Sequence, residues 1–138
     1  MTGFDTIRTL QGEALRSALQ RLYMGLFADP DSIPDYLADT CVQRVGSKAL
    51  DYTQINRHVR HVRARVKHIQ YEVADAVADN DTIADRHIVE LTLHDGRTAA
   101  LEVFCFLHFV NGKIVEIFEC SQVLKGDQAL GVLATAVE

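Results

Sequence analysis

Polar and apolar residues alternate along most of the second half of the chain. Three runs show it: DRHIVELTLH from Asp85, RTAALEVFCFLHFV from Arg97 and KIVEIFECSQV from Lys113. A period of two over stretches this long predicts strands with one buried face. Asp95-Gly96 and Asn111-Gly112 join the runs. Both dipeptides favour two-residue turns with positive φ at each position, so the runs read as consecutive antiparallel hairpins. With both turns tight, His94 faces Arg97 and Val110 faces Lys113. Val89 then faces Glu102, His87 faces Phe104, Phe104 faces Glu119 and Glu102 faces Ser121. Facing residues share one side of a sheet. One side is therefore expected to carry His87, Val89, Glu102, Phe104, Phe106, His108, Ile117, Glu119 and Ser121. The other is expected to carry Ile88, Glu90, Leu101, Val103, Cys105, Leu107, Ile114, Glu116, Phe118 and Cys120.

The first half of the chain mostly changes period. Ile7, Leu10, Ala14, Leu15, Ala18, Leu22 and Leu26 recur at helical spacing and predict a helix from about Asp5, a plausible cap, to Phe27. Ala28-Asp29-Pro30-Asp31 ends it, because the residue before a proline avoids the α conformation. Ser32 then caps a short helix, SIPDYLAD, with Pro34 in its first turn. Cys41 to Val45 reads as a short strand and Gly46-Ser47 as a turn. A third helix from about Thr53 to Val66 buries Ile55, Val59, Val62 and Val66. Ile69 to Ala78 is a strand that turns at Asp79-Asn80-Asp81 into the first of the three runs. After Val123 the chain turns at Lys125-Gly126, and Asp127 caps a short helix through Ala136. Helices followed by a meander predict an α+β class.

At 138 residues the chain is one domain, spanning 1–138, large enough for a core without staples. A formal charge of −5 argues against nucleic acid as a partner, since such binders carry a basic surplus. Cys41, Cys105 and Cys120 are an odd, scattered set with no Cys-x-x-Cys spacing. They read as reduced thiols, which fits a cytoplasmic setting. The N-terminus shows no secretion signal, and no apolar run approaches the ~20 residues that span a bilayer, so no membrane partner is expected.

The first face holds the candidate chemistry. Two carboxylates and two imidazoles set among aromatic and aliphatic side chains are what a small-molecule pocket looks like in sequence. Glu102 and Glu119 fall on neighbouring strands, one row apart. Burial among Phe104, Phe106 and Ile117 would raise a carboxyl pKa toward neutrality, where it can shuttle protons. His87 falls in the row of Glu119, with Phe104 between them. The plainer alternative is that these groups satisfy one another and hold the sheet in one shape. His108 lies beside a turn and is expected on the solvent side.

Tyr23, near the end of the first helix, reads either as an interfacial core aromatic or as a phenol that meets a ligand. His58 sits on the margin of the third helix's buried stripe, half-exposed or looking into the sheet. His58 and His61 are three apart, but no accompanying acidic residue completes a zinc motif, so no metal is expected. Arg57, Arg60, Arg63, Arg65 and Lys67 around this helix read as a solvated face or, alternatively, an anion site.

The order of elements resembles the nuclear transport factor 2-like superfamily, and within it the SnoaL-like and ketosteroid-isomerase-like bacterial proteins. The residues that carry the likeness are Leu22-Tyr23 with Ala28-Asp29, Asp79-Asn80-Asp81-Thr82-Ile83 leading to Arg86-His87, and His94-Asp95-Gly96-Arg97. Above all it is carried by Phe109-Val110-Asn111-Gly112-Lys113-Ile114-Val115-Glu116. The resemblance covers nearly the whole chain and is one of fold. It implies a cone: a strongly curved antiparallel sheet wrapped around N-terminal helices, a cystatin-like α+β roll, with a pocket inside. It implies that Glu102, Phe104, Phe106 and His108 point into the cone with Ile117, Glu119 and Ser121. It also implies a homodimer through the outer sheet face, where Leu101, Val103, Cys105, Leu107 and Phe118 would form the patch.

By the same resemblance the activity would be proton transfer on a small apolar carbonyl compound held in the cone: isomerisation, cyclisation or dehydration, with no metal or organic cofactor. His87, Glu102 and Glu119 would be catalytic, with His87 or Glu119 as base. Tyr23, His58, Val89, Phe104, Phe106, Ile117 and Ser121 would contact the ligand. Phe104 stands where ketosteroid isomerases carry an oxyanion-binding aspartate, and Cys41-Val42-Gln43-Arg44-Val45 offers no match to their base. A true ketosteroid isomerase is therefore not expected. A ligand-binding or dimerising domain without turnover is the alternative.

Overall fold

In a computed structural model the described residues are 7–134, with side chains described through Gly131. Helix α1 (Gly12–Ala28) is followed by a 3-10 turn (Pro30–Ser32), a one-turn helix α2 (Ile33–Tyr36), and strands β1 (Leu37–Val45) and β2 (Lys48–Leu50). Then come α3 (Tyr52–Arg65), β3 (Val66–Asp79), β4 (Thr82–Leu93), β5 (Thr98–Val110), β6 (Lys113–Gly126) and a 3-10 segment (Gln128–Ala134). Among the described residues no helix is long and apolar enough to cross a membrane.

Helix α1 starts at Gly12, whose φ of 60° breaks the helical path, so the helix is shorter than its apolar spacing predicts. Asp5, the expected cap, lies outside the described residues, as does the end of the C-terminal helix expected through Ala136. The segment after α1 is capped by Asp29, which accepts from the Asp31 amide at 3.2 Å, and Ser32 makes no side-chain cap bond. Helix α3 opens with a capping box in which Asp51 and Gln54 exchange hydrogen bonds at 2.9 Å. The Asp127 carboxylate accepts from the Ala129 amide at 2.9 Å, starting 3-10 rather than α geometry.

Six strands form one curved, open sheet in the order β2-β1-β6-β5-β4-β3. All neighbours are antiparallel except β1 and β6, which run parallel. Strands of 12 to 14 residues are too long to stay flat, and extra residues in the ladders bend them. Such irregularities fall between Val73 and Asp75, between Ala100 and Leu101, and between His108 and Phe109.

Two of the joints decide which side chains face inward. At Asn111-Gly112 both φ values are positive (52° and 79°), and Val110 pairs with Lys113 as expected. Val115 then bulges: Phe109 pairs with Ile114 but His108 with Glu116. At the other joint Asp95 does not take positive φ. The Leu93 amide donates to the Arg97 carbonyl at 2.8 Å around a three-residue loop, His94-Asp95-Gly96, with φ of 92° at Gly96. The Asp95 carboxylate holds this loop by accepting from the Arg97 amide at 3.0 Å.

Each strand pairing is thus one residue out from the tight-turn arithmetic, at the loop for β4 with β5 and at the Val115 bulge for β5 with β6, and a slip of one flips a strand's faces. The two slips cancel across β5. Strands β4 and β6 present the expected odd-numbered residues inward, while β5 alone is inverted. His87 pairs with Val103, Val89 with Leu101, and Glu119 with Cys105. Leu101, Val103, Cys105, Leu107 and Phe109 are buried under the helices, whereas Phe104 and Phe106 are 44% and 55% exposed on the convex side. The expected two-sided division is corrected accordingly: of the predicted outer patch Leu101, Val103, Cys105, Leu107 and Phe118, only Phe118 lies outside.

The core inside the cone has two apolar clusters. One gathers α1, β1 and the Ile83, Leu107, Phe109 and Ile117 end of the sheet. The other gathers Val62, Val66, Val89, Leu91, Leu101 and Val103. Between Ile83 and Val89 on β4 lie Asp85 and His87, which divide the two.

At the far end of β6, Gly126 pairs with Ala99 at a φ of 95°, and a Cβ there would sit 2.3 Å from the Thr98 carbonyl oxygen. Gly126→Ala is expected to destabilise the fold by at least roughly 1–3 kcal/mol. The check is urea unfolding, in which the midpoint falls while the slope stays fixed.

Candidate active site

The division of the core is a polar row that crosses three strands. Asp85 pairs with Cys105, and Cys105 pairs with Glu119. The small cysteine leaves room between the two carboxyl groups. His87, two residues from Asp85 on the same face, carries its ring into the same space. Tyr23 reaches the row from α1, Tyr71 from β3 and Gln43 from β1.

Asp85 is the hub. Its side chain has no exposure, and it accepts a short hydrogen bond from the Tyr23 hydroxyl. Its other oxygen meets His87 Nδ1 at 2.6 Å. A carboxylate only accepts, so Nδ1 carries the hydrogen, and Nε2 is the nitrogen left to meet a ligand. The rings of Tyr23 and His87 stack at 4.7 Å between centroids, and Tyr71 closes on both at 5.7 and 5.9 Å. The imidazole is therefore fixed in tautomer and in plane.

Burial and neighbouring anions set the acidities of the surrounding groups. Burial pushes the Glu119 carboxyl above its ordinary pKa, and the Asp85 charge adds to the rise. His87 and a hydrogen bond with Gln43 pull the other way without cancelling it. The Tyr23 hydroxyl is held protonated by burial, with Cys105 and Asp85 beside it. Burial, with Asp85 and Glu119, does the same for the Cys105 thiol, whose sulfur lies 3.4 Å from the Tyr23 oxygen. Tyr71 is raised by burial and by Glu119.

Tyr23, Gln43, Tyr71, His87 and Glu119 form the polar end of a cavity of about 200 Å³, with Asp85 and Cys105 behind them. Its other walls are apolar side chains of α1, α3 and the sheet, including Leu26, Val62, Ile69, Leu91, Leu101 and Val103, with His58 of α3 among them. Asp85, His87 and Cys105 bring one ligand atom each within 4.8 Å of one another, a spacing that a metal ion can use. Those atoms are already tied to each other and to Tyr23 by hydrogen bonds.

Of the residues predicted from sequence, Tyr23, His58, His87, Val89, Ile117 and Glu119 line this cavity. Glu102, Phe104 and Phe106 do not, because β5 is inverted. Glu102 lies on the convex side, where Arg86 Nη1 donates to it at 3.0 Å and Gln122 Nε2 at 2.8 Å. Ser121 shares the inner face but pairs with Val103 outside the cavity lining. His108 stands on the outer side beside Thr82. Around α3, Arg60 pairs with Asp31 at 2.9 Å on an exposed surface.

Sequence reasoning missed Asp85, Cys105, Tyr71 and Gln43. Asp85 was within reach, since it shares the alternation of Ile83, His87, Val89 and Leu91. Cys105 was assigned to the opposite face. Gln43 depends on the parallel pairing of β1 with β6, for which no local signal exists.

Residues 20–117 match the SnoaL-like domain family. An uncharacterized protein of Schizosaccharomyces pombe is 23% identical over 117 residues, covering 85% of this chain and 90% of that one. Among solved structures, AclR from Streptomyces galilaeus, a proposed hydroxylase, superposes with a TM-score of 0.69 at 19% identity, over 91% of this chain and 88% of its own. IdmH from Streptomyces antibioticus, a proposed polyketide cyclase, gives 0.61 at 19% identity, over 70% and 84%. An epoxide hydrolase of M. tuberculosis, described as LEH-like, gives 0.63 at 17% identity, over 87% and 89%. These likenesses establish a shared fold, and with the domain match they show that the chain belongs to the SnoaL-like family of the nuclear transport factor 2-like superfamily.

Proposed function

We propose that the chain catalyses proton transfer on a small apolar carbonyl compound, in an isomerisation, cyclisation or dehydration. The observation that carries this is the 2.6 Å bond from His87 Nδ1 to the buried Asp85, at the polar end of an apolar cavity that Glu119 also enters. The carboxylate leaves Nε2 as the base, and the imidazolium formed on proton uptake would lie between Asp85 and Glu119. Glu119, biased toward its protonated form, donates to the carbonyl oxygen as charge develops there. The fold shared with proposed polyketide cyclases supports the same class of chemistry.

In D2O this reading expects exchange at the carbon next to the carbonyl of small cyclic ketones, followed by proton NMR. His87→Gln, which keeps a donor for Asp85, and Glu119→Gln should each slow exchange by roughly 10²–10⁴-fold with the fold intact. Folded variants that exchange as fast as the wild type would instead favour a binding domain without turnover.

The proton balance has a thermodynamic counterpart. A carboxyl whose pKa is higher folded than unfolded binds more protons in the native state between those two values, so stability falls as pH rises through that window. The window opens at the ordinary glutamate value of 4.5. Relative to Glu119→Gln, the wild type is expected to lose stability as pH rises above about 4.5 and to level off above the raised folded pKa. Urea unfolding across pH 4 to 8 measures it; parallel curves would remove the raised carboxyl from the scheme.

We also propose that the protein is a homodimer joined through the convex side of β5 and β6. Phe106 pairs directly with Phe118, and Phe104 stands beside them, all three between 42% and 55% exposed. Such a patch is ordinarily covered. Phe106→Glu should convert a dimer to a monomer in light scattering, and a wild type already monomeric at micromolar concentration would refute the pairing. A cytoplasmic setting belongs to the same proposal, on three cysteines that are all free thiols.

A further inference from the structure

We propose that the cavity selects an uncharged, single-ring compound of about eight to ten non-hydrogen atoms with an oxygen at one end, and that it excludes carboxylates, ammonium ions and fused four-ring skeletons. This rests on the proton-transfer reading only for the role of the oxygen.

Size comes first. A dry apolar cavity of about 150 Å³ takes one benzene ring, and this one is about 200 Å³. The ratio leaves room for a substituted ring and little more. By the same proportion a four-ring skeleton of about twenty non-hydrogen atoms needs roughly 500 Å³. Val62, Leu91, Leu101 and Val103 form the ring's walls, and all four are buried core residues on α3, β4 and β5. The space opens to solvent on one side, but widening its inner end would require moving the sheet away from the helix.

Charge comes second. None of the lining residues is a lysine or arginine. A ligand carboxylate would find only the imidazoles of His58 and His87 to answer it, with the Asp85 carboxylate directly behind His87. An ammonium ion fares no better. The Asp85 carboxylate already accepts from Tyr23 and His87, and Glu119 hydrogen-bonds with Gln43 and is biased toward its neutral form. No unpaired anion waits for a cation, so bringing one in strips its water without replacing it. A carbonyl or hydroxyl oxygen costs far less and finds Tyr71, Gln43 and Glu119 as hydrogen-bond partners.

The experiment is a binding panel on the full chain, read by calorimetry and by NMR shifts of the His87 and Tyr71 rings. The probes are 3-methylcyclohex-2-enone, cyclohexanecarboxylate, cyclohexylmethylammonium and androstenedione. The enone is expected to bind at least tenfold more tightly than each of the others and to move both rings. Androstenedione or either ion binding as tightly as the enone would overturn the assignment, and so would a panel in which nothing binds. Because binding is read without turnover, the two readings separate. An enone that binds but exchanges no deuterium sinks the proton-transfer reading alone, and exchange on a charged or four-ring ketone sinks this one alone.

Discussion

A carboxylate removed from water must be answered by donors, and in this fold that obligation falls on Asp85. Hydrogen bonds to a buried charge stabilise by about 1.5–3 kcal/mol each, and stranding such a charge costs about 3–5 kcal/mol. Both donors are therefore tightly constrained. Tyr23 ties the C-terminal half of α1 to the sheet, and His87 is held rigid on β4. The same requirement explains why the polar row sits where the two apolar clusters meet. The charge anchors helix to sheet, and the cavity opens on the side of His87 that Asp85 does not occupy.

The register around β5 is the second constraint, and it shows which signals in the sequence were decisive. Alternation identified every long strand, and the glycine-containing joints identified both hairpins. Turn chemistry alone could not count the residues in each joint. At Asp95-Gly96 the aspartate side chain captures the Arg97 amide and lengthens the loop, and at Val115 a bulge follows an otherwise ideal turn. The stronger vote lay within β5 itself. Its odd positions, Leu101, Val103, Cys105, Leu107 and Phe109, are all apolar, whereas its even positions include Glu102 and His108. A buried face is specified by its hydrophobic set, and one residue of loop costs far less than turning Glu102 and His108 inward. The pairing of β1 with β6 lay beyond reach because it joins residues distant in sequence.

Inverting β5 sorts its polar residues as well as its apolar ones. Glu102 is neutralised outside by Arg86 and accepts a hydrogen bond from Gln122, so it adds no charge to the cavity. Phe104 and Phe106, released from the interior, make the convex side sticky and leave the interior roomier than two more phenyl rings would allow. The inner wall of β5 is instead built from Leu101, Val103 and Cys105. Cavity size, site electrostatics and the apolar outer surface therefore trace to one strand's orientation.

The parallel ladder between β1 and β6 has a kinetic consequence. Gln43 aligns with Ile117, 117 − 43 = 74 positions later, and closing a loop of that length costs about 4 kcal/mol of chain entropy. Hairpins among β3 to β6 close locally and can form first, whereas β1 docks only when the last strand is in place. On the ribosome, Gln43 is exposed long before Glu119 is made. The pocket would then be among the final regions to consolidate, completing only after β6 has been made.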